Sequence, residues 1–393
     1  MTDKHTDLYE VLDIIKNIKI PIDYEFVPIE NSCNLVSAQN VLASFDFPQH
    51  NRSKMDGFVF DSETTNMSEK LKIIAFLGAN DILDIHLSKN ECIKCSTGSN
   101  LVNNQNTVVP VEYCSEKNGY IYIENVFKPK KGYIETSGSI FKKGEILISK
   151  GNLIDHRDIE RLVLNRINTI KVNKKPLIGV ISTGSEITEQ YVIKESIINS
   201  NFYMLHSFLK TKQVPFSYLG VIKDNHSEIK VAIEHAVNNY DIIITFGGTA
   251  LGQKDLIKNI IYEIDGKIII ENINVSPGKT FKLAMVKQKP IFILPGNPAS
   301  ASVCIELFLN IFLDTAYYGQ SQQLFNAKSY IKLNKKKGFY KFIPGYIELK
   351  DNEIIFYDRL SGIKGKQFIN AIGIIDKEIE TLTTGNYIKT FII

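Results

Sequence analysis

Three short segments of this chain carry residue types that bind oxyanions. STGSEI (182–187), GGTALGQKD (247–255) and LPGNPAS (294–300) each combine glycine with hydroxyl or amide side chains. Such loops expose backbone N–H groups, and a helix beginning within or after them adds partial positive charge, so phosphate or another oxyanion is the natural guest. Three carboxylates accompany them: Glu186 in the first loop, Asp255 at the end of the second, and Asp224 in the segment IKDN. Acids beside phosphate-binding loops serve to hold Mg²⁺, a hard cation that takes oxygen ligands and bridges to phosphate. Taken singly, each loop also reads as a well-capped βα turn and each acid as a cap or a solvated residue. Three loops and three acids in one region favour binding.

The elements around these residues predict where they gather. Between 175 and 325, apolar strands (PLIGVIST, PFSYLGVI, DIIITF, PIFIL) alternate with helical patterns (NSNFYMLHSFLKTK, NHSEIKVAIEHAVNNY, PASASVCIELFLNIFL). Ile229, Ile233, Ala236 and Val237 share one helical face, Asn225 and Glu228 have capping-box spacing, and Asn297 with Pro298 forms a helix start. This alternation predicts a central, open, mostly parallel α/β sheet, whose ligands sit at the carboxyl ends of the strands. On either side the pattern changes. Residues 1–45 and 146–174 read as an N-terminal helical domain, from Leu8, Val11, Leu12 and Ile15 and from Ile159, Leu162 and Leu164. Residues 46–145, with LKIIAFLG, NTVVPVEY and GYIYIENVF, read as an inserted β-rich domain, and 326–393 as a C-terminal β domain. The fold class is therefore multidomain, α/β with β.

Composition narrows the function classes. The chain has 393 residues, 44% hydrophobic and 23% charged, the balance of a soluble globular protein, and its net charge of +3 makes no case for a nucleic-acid or membrane partner. The N-terminus carries acids and lacks the apolar region of a signal peptide, and no apolar run reaches the ~18 residues of a membrane span. Five scattered cysteines fit reduced thiols in a cytoplasm. Cys92-Ile93-Lys94-Cys95 has metal or redox spacing, but it lies in a strand-like run without a second pair, which favours buried structural cysteines. The lack of a Walker Lys-Ser/Thr loop, a G-x-G-x-x-G and a G-x-S-x-G disfavours a P-loop ATPase, a nicotinamide dehydrogenase and a serine hydrolase.

With these residues in place, the chain resembles the molybdopterin molybdenumtransferases, the family of bacterial MoeA and the gephyrin E domain. The carrying segments are NRSKMDGFVF, CSTGSN, GVISTGSEI, IINSNFYML, TFGGTALGQKD, SPGKT and LPGNPASASV, which occur in the family's order over nearly the whole length. The resemblance implies the four-part architecture above and a homodimer whose cleft lies between the α/β domain of one subunit and the β insert of the other. It implies Mg²⁺- and molybdate-dependent hydrolysis of adenylylated molybdopterin, with molybdenum inserted into the dithiolene, AMP released, and contact with other cofactor-biosynthesis proteins. Carried over by position, the catalytic polar groups are Asp56, Thr97, Glu186, Asp224 and Asp255, with Glu186, Asp224 and Asp255 holding the metal. Thr183, Gly184, Ser185, Ser200, Gly247, Gly248, Thr249, Gly252, Lys279, Pro295, Gly296, Asn297 and Ser300 hold the phosphate and pterin.

Several charged positions of the family pattern differ. GYIETSGSIFKKG places Glu135 near an expected Arg, and Ser139 and Ile140 near an expected Glu-Asp. Ser276 stands where the family has the first Lys of Lys-Pro-Gly-Lys, and GFYKFIPGY lacks arginines. Lys142, Lys143 and Lys282 are candidates to compensate. The alternative function is a catalytically weakened paralogue that binds the pterin nucleotide or a protein partner as carrier or scaffold.

Overall fold

The computed structural model describes residues 6–124, 126–128, 131–189, 197–248, 255–319, 323–358 and 369–393. The chain forms two compact units, Phe26–Val172, and Met1–Glu25 with Asn173–Ile393.

The first unit contains a six-stranded sheet in the order Thr107–Pro110, Gly57–Phe60, Glu91–Cys95, Leu71–Leu77, Tyr120–Ile123, Cys114–Lys117. Alternation along Gly57–Phe60 sends Phe58 and Phe60 into one core and Val59 into another. The same rule settles the Cys-x-x-Cys segment. Residues three apart on a strand face opposite sides, so Cys92 joins the core of Phe58 and Phe60 while Cys95 joins that of Val59. Burial pushes their thiols up to about 12 and about 11, which suits structural cysteines. A third core of Val41, Phe141, Leu147, Leu162 and Ile170 surrounds the helix His156–Leu164, whose N-cap Asp155 forms a capping box with Asp158.

The second unit opens with α1 (Leu8–Asn17), which buries Leu8, Val11, Leu12 and Ile15 and is capped by Asp7. The helical expectation for 1–45 holds for this helix alone. Pro21 and Pro28 are unsuited to a helix interior, and from Tyr24 the chain runs as the strand Tyr24–Pro28 and turns. The apolar face of α1 also packs into the second unit's core, not with 146–172.

The central sheet comprises β1 (Ile178–Thr183), β2 (Phe216–Ile222), β3 (Ile242–Phe246), β4 (Lys267–Ile270), β5 (Lys282–Val286) and β6 (Lys289–Leu294), in the order β2-β1-β3-β6-β5-β4. β2, β1, β3 and β6 are parallel, and β5 and β4 add an antiparallel edge. α2 (Ser200–Thr211) packs in the core on one face, and α3 (His226–Asn239) and α4 (Leu256–Glu263) in the core on the other. α5 (Pro298–Ala316) is 19 residues long and apolar enough by composition to cross a membrane, against the expectation that no stretch reaches that length; 67% of its apolar window is buried inside the protein. It widens to a π turn over Ile305–Leu309 and packs Phe308 against Phe281, with ring centroids 4.7 Å apart.

The chain ends in a closed ring of β7 (Phe325–Ser329), β8 (Tyr340–Lys350), β9 (Glu353–Asp358), β10 (Ala371–Ile375) and β11 (Tyr387–Ile392). The pairings run β8-β9-β7-β11-β10 and back to β8. A two-residue strand, Val275–Ser276, pairs parallel with β8 and sets Ser276 opposite Lys341.

Candidate functional site

Three parallel strands end side by side. β1 ends at Thr183, β3 at Phe246 and β6 at Leu294, and the loops leaving them border a cleft of about 740 Å³. Thr183, Gly184, Ser200, Gly247, Gly248, Gly296 and Asn297 line it, together with the carboxylates Glu186 and Asp224. Thr249 and Gly252 lie outside the described residues.

The local chemistry explains why these residues stand there. Thr183 Oγ1 donates to the Phe246 carbonyl at 2.9 Å, and the Gly247 amide donates to the Leu294 carbonyl at 3.2 Å, so neighbouring strand ends are bonded together. Gly247 has φ 84°, and a Cβ there would sit 2.6 Å from the Thr183 carbonyl oxygen; at Gly248, with φ 66°, it would meet Ile257 Cδ1 at 2.7 Å. What requires these two glycines is close packing against the end of β1 and against the Ile257 side chain of α4, with the cleft beside them. Asp224 Oδ2 accepts the Ser185 amide at 3.2 Å, and Ser185 Oγ accepts the Asp224 amide at 3.2 Å.

The helix start of α2 supplies groups that the sequence analysis passed over. Asn199 caps α2 and its Nδ2 donates to Ser182 Oγ at 3.0 Å and Tyr218 Oη at 2.8 Å. Asn201 Nδ2 donates to the Gly296 carbonyl at 2.7 Å, tying α2 to the third loop. The signal was present in the triplet Asn199-Ser200-Asn201, where an N-cap residue precedes a helical pattern.

The remaining expected residues separate. Lys279 and Ser300 border a second cleft of about 600 Å³, with Ser276, Lys335, Lys336, Tyr340 and Lys341. Its described lining holds four lysines and no carboxylate. Lys335 Nζ donates to the Phe339 and Lys377 carbonyls at 2.9 and 3.2 Å, and burial pulls its ammonium below the usual lysine value. The segment 294–300 therefore divides: Gly296 and Asn297 face the first cleft, Ser300 the second, and Pro295 is buried. Asp56 and Thr97 belong to the other unit, where the exposed Asp56 carboxylate accepts the Thr97 amide at 2.7 Å. Ile140 is 43% exposed.

Asp255 does not line the first cleft. Its Oδ2 lies 2.6 Å from Lys282 Nζ and its Oδ1 accepts the Lys258 amide at 3.2 Å, capping α4. Lys282 is consequently no free cation standing in for the one absent at Ser276. Among the described residues, no three His, Cys, Asp or Glu side chains come together closely enough to hold a metal ion. Glu186 and Asp224 nonetheless border one cavity, and Mg²⁺ commonly takes only one or two carboxylates, completing its shell with water and substrate phosphate. Glu186 and Asp224 are thus the carboxylates compatible with such an ion, and Asp255, held by Lys282, is not among them.

Comparison with known proteins gives a consistent result. Residues 6–164 match the family model of the MoeA N-terminal region (domain I and II), and residues 179–315 that of a probable molybdopterin binding domain. A putative molybdopterin biosynthesis protein of Methanocaldococcus jannaschii is 31% identical over 316 residues, covering 78% of this chain and 76% of the relative. A molybdopterin molybdenumtransferase of Staphylococcus epidermidis is 28% identical over 302 residues, 75% of this chain and 70% of that protein. The crystal structure of a molybdopterin biosynthesis MoeA protein from Pyrococcus horikoshii superimposes with a TM-score of 0.81 at 26% identity, over 99% of both chains.

Proposed function

The chain belongs to the MoeA family, and on that premise we propose that it inserts molybdenum from molybdate into adenylylated molybdopterin, with Mg²⁺-dependent release of AMP. The observation that carries this reading is the pair of clefts flanking the segment 294–300. One is bordered by glycines, amides and two carboxylates, and the other by four lysines. A reaction that splits a phosphoanhydride and takes metal from a small oxyanion draws on both linings, one for the phosphates and one for the oxyanion.

In the first cleft, the backbone at Gly247 and Gly248 and the N-terminus of α2 at Ser200 receive the phosphates of the pterin nucleotide. Glu186 and Asp224 would hold Mg²⁺, which would neutralise phosphate charge and ease hydrolysis of the phosphoanhydride by water. In the second cleft, Lys279, Lys336 and Lys341 attract molybdate and bind it through charge-assisted hydrogen bonds, joined by the hydroxyls of Ser276 and Ser300. Lysines arriving from the β8 side thus supply charge where Ser276 replaces a cation. The reading also includes a cytoplasmic homodimer of four-domain subunits, with Asp56 and Thr97 furnishing polar groups from the partner's insert.

One observation favours a second reading. Lys282 is engaged by Asp255, so it leaves the charge absent at Ser276 unreplaced from that side. A chain short of that cation would bind the pterin nucleotide as a carrier without turning it over. Purified protein, adenylylated molybdopterin, Mg²⁺ and a molybdate titration separate the two. Molybdate-dependent AMP release that collapses in Glu186→Gln supports the transferase, binding without release supports the carrier, and neither binding nor release overturns both.

A further inference from the structure

The ion pair of Lys282 and Asp255 joins two segments that border different clefts. Asp255 caps α4, whose first residue, Leu256, borders the first cleft. Lys282 begins β5, just beyond the segment 275–280 that borders the second cleft. The pair is 2.6 Å long, and its side chains are only 8% and 13% exposed.

The placement follows from strand register. Lys282 alternates with Ala284 and Val286, which pack in the same core as Ile257, Ile260 and Ile261 of α4. Its ammonium can therefore meet the carboxylate at that helix's N-terminus. Both carboxylate oxygens have donors, Oδ1 from the Lys258 amide and Oδ2 from Lys282. A metal ion at Asp255 would be repelled by the nearly buried ammonium beside it, and displacing that ammonium would strip a buried charge of its partner, which is strongly destabilising.

We propose that Lys282 is a positioning residue: by gripping Asp255 it fixes the N-terminus of α4, whose Leu256 borders the first cleft, relative to the segment 275–280, so that the two clefts keep a constant separation. Asp255 is the anchor of this link and not a metal ligand. The inference rests on reading the two clefts as halves of one reaction site.

The test uses the full chain with Lys282→Met, Asp255→Asn, Lys282→Arg and the Met/Asn double variant. Amide hydrogen exchange over 256–260 should quicken by roughly tenfold in either neutralised single variant, since the helix start then opens locally. It should quicken no further in the double, and return close to wild type in Lys282→Arg. Mn²⁺ binding, followed by electron paramagnetic resonance as a probe for Mg²⁺, should persist in Asp255→Asn and fall in Glu186→Gln. In AMP-release assays Lys282→Met should lower kcat/KM for molybdate and for the pterin nucleotide together. Loss of Mn²⁺ binding in Asp255→Asn with retention in Lys282→Met would overturn the proposal, making Asp255 a ligand. Unchanged exchange in the single variants would overturn it too. Should Lys282→Met fail to fold, the charge-neutral double variant and Lys282→Arg still decide. A wild type that releases no AMP would defeat the transferase reading, while the exchange and Mn²⁺ measurements would still judge Lys282.

Discussion

Ser185 and Asp224 hold one another by two reciprocal bonds, each a backbone amide donating to the other residue's side chain at 3.2 Å. The loops after β1 and β2 are thereby fastened together on the side of the first cleft that carries Glu186. Ser185→Ala removes one bond and keeps the carboxylate, so Mg²⁺-supported AMP binding should weaken by roughly three- to tenfold, as one net hydrogen bond predicts. Asp224→Asn removes the charge, and the Mg²⁺ dependence of AMP binding should largely vanish with it. Calorimetry with and without Mg²⁺ reads both.

Gly247 tests loop packing against backbone strain. Gly247→Ala adds a Cβ 2.6 Å from a backbone carbonyl oxygen at φ 84°, whereas at Gly338, with φ 92°, a Cβ meets nothing within 4 Å. Both variants incur left-handed strain of about 1–2 kcal/mol. The Gly247 variant should lose at least about 1 kcal/mol more, in the range of an overpacked site, together with its affinity for AMP. Urea denaturation of the two variants supplies the comparison.

The lysine cleft should bind oxyanions in a salt-dependent way. Lys279→Ala and Lys341→Ala should each weaken molybdate binding by roughly tenfold or more, the scale of a hydrogen bond from a charged donor, and rising ionic strength should diminish the difference. Lys335→Ala should act mainly on stability, because its ammonium is already bonded to backbone carbonyls.

Asp7 links α1 to the C-terminal ring through Lys377 Nζ at 2.6 Å and Tyr340 Oη at 3.3 Å. Burial raises its carboxyl, but the bonds from Lys377, the Tyr9 amide and Tyr340 outweigh it and leave the group below the usual aspartate value. A carboxyl depressed in the folded state stabilises the fold above its unfolded value, near pH 4, and that contribution is lost as pH falls through the lower folded value. Asp7→Asn should therefore destabilise the protein at neutral pH and flatten its acid unfolding below pH 4. Thermal melts across that window test this.

Thiol reactivity should follow burial. Cys33 is exposed while Cys92, Cys95 and Cys304 are buried, so a disulfide reagent at pH 8 should label Cys33 first. Cys92 and Cys95 should react only on unfolding, and a zinc chelator should leave stability unchanged. Labelling followed by peptide mass analysis gives the order.

Much of the C-terminal unit's sheet was legible in the sequence, because its signals are local. Continuous apolar runs such as Ile242–Phe246, followed by glycine and separated by capped helices, are the imprint of parallel strands buried on both faces, and they bring Thr183, Gly247 and Gly296 to one edge. The helix of Leu8–Asn17 was equally plain, but its partners were not, since a periodic face says that it will be buried and not against what. Cys92 and Cys95 already read as buried structural residues, but only the strand shows that they face opposite cores. The fate of the charged residues was decided by tertiary structure alone. Parallel pairing of Val275–Ser276 with β8 carries Lys341 to Ser276, and strand register carries Lys282 to Asp255. The first contact builds a basic cleft around Lys279 and Ser300, and the second pairs Asp255 with a nearly buried ammonium. Neither could be read from the sequence. Residue type and spacing state what chemistry a side chain can do, but its partner depends on which distant strands the chain closes together, and a charge acts through its neighbours.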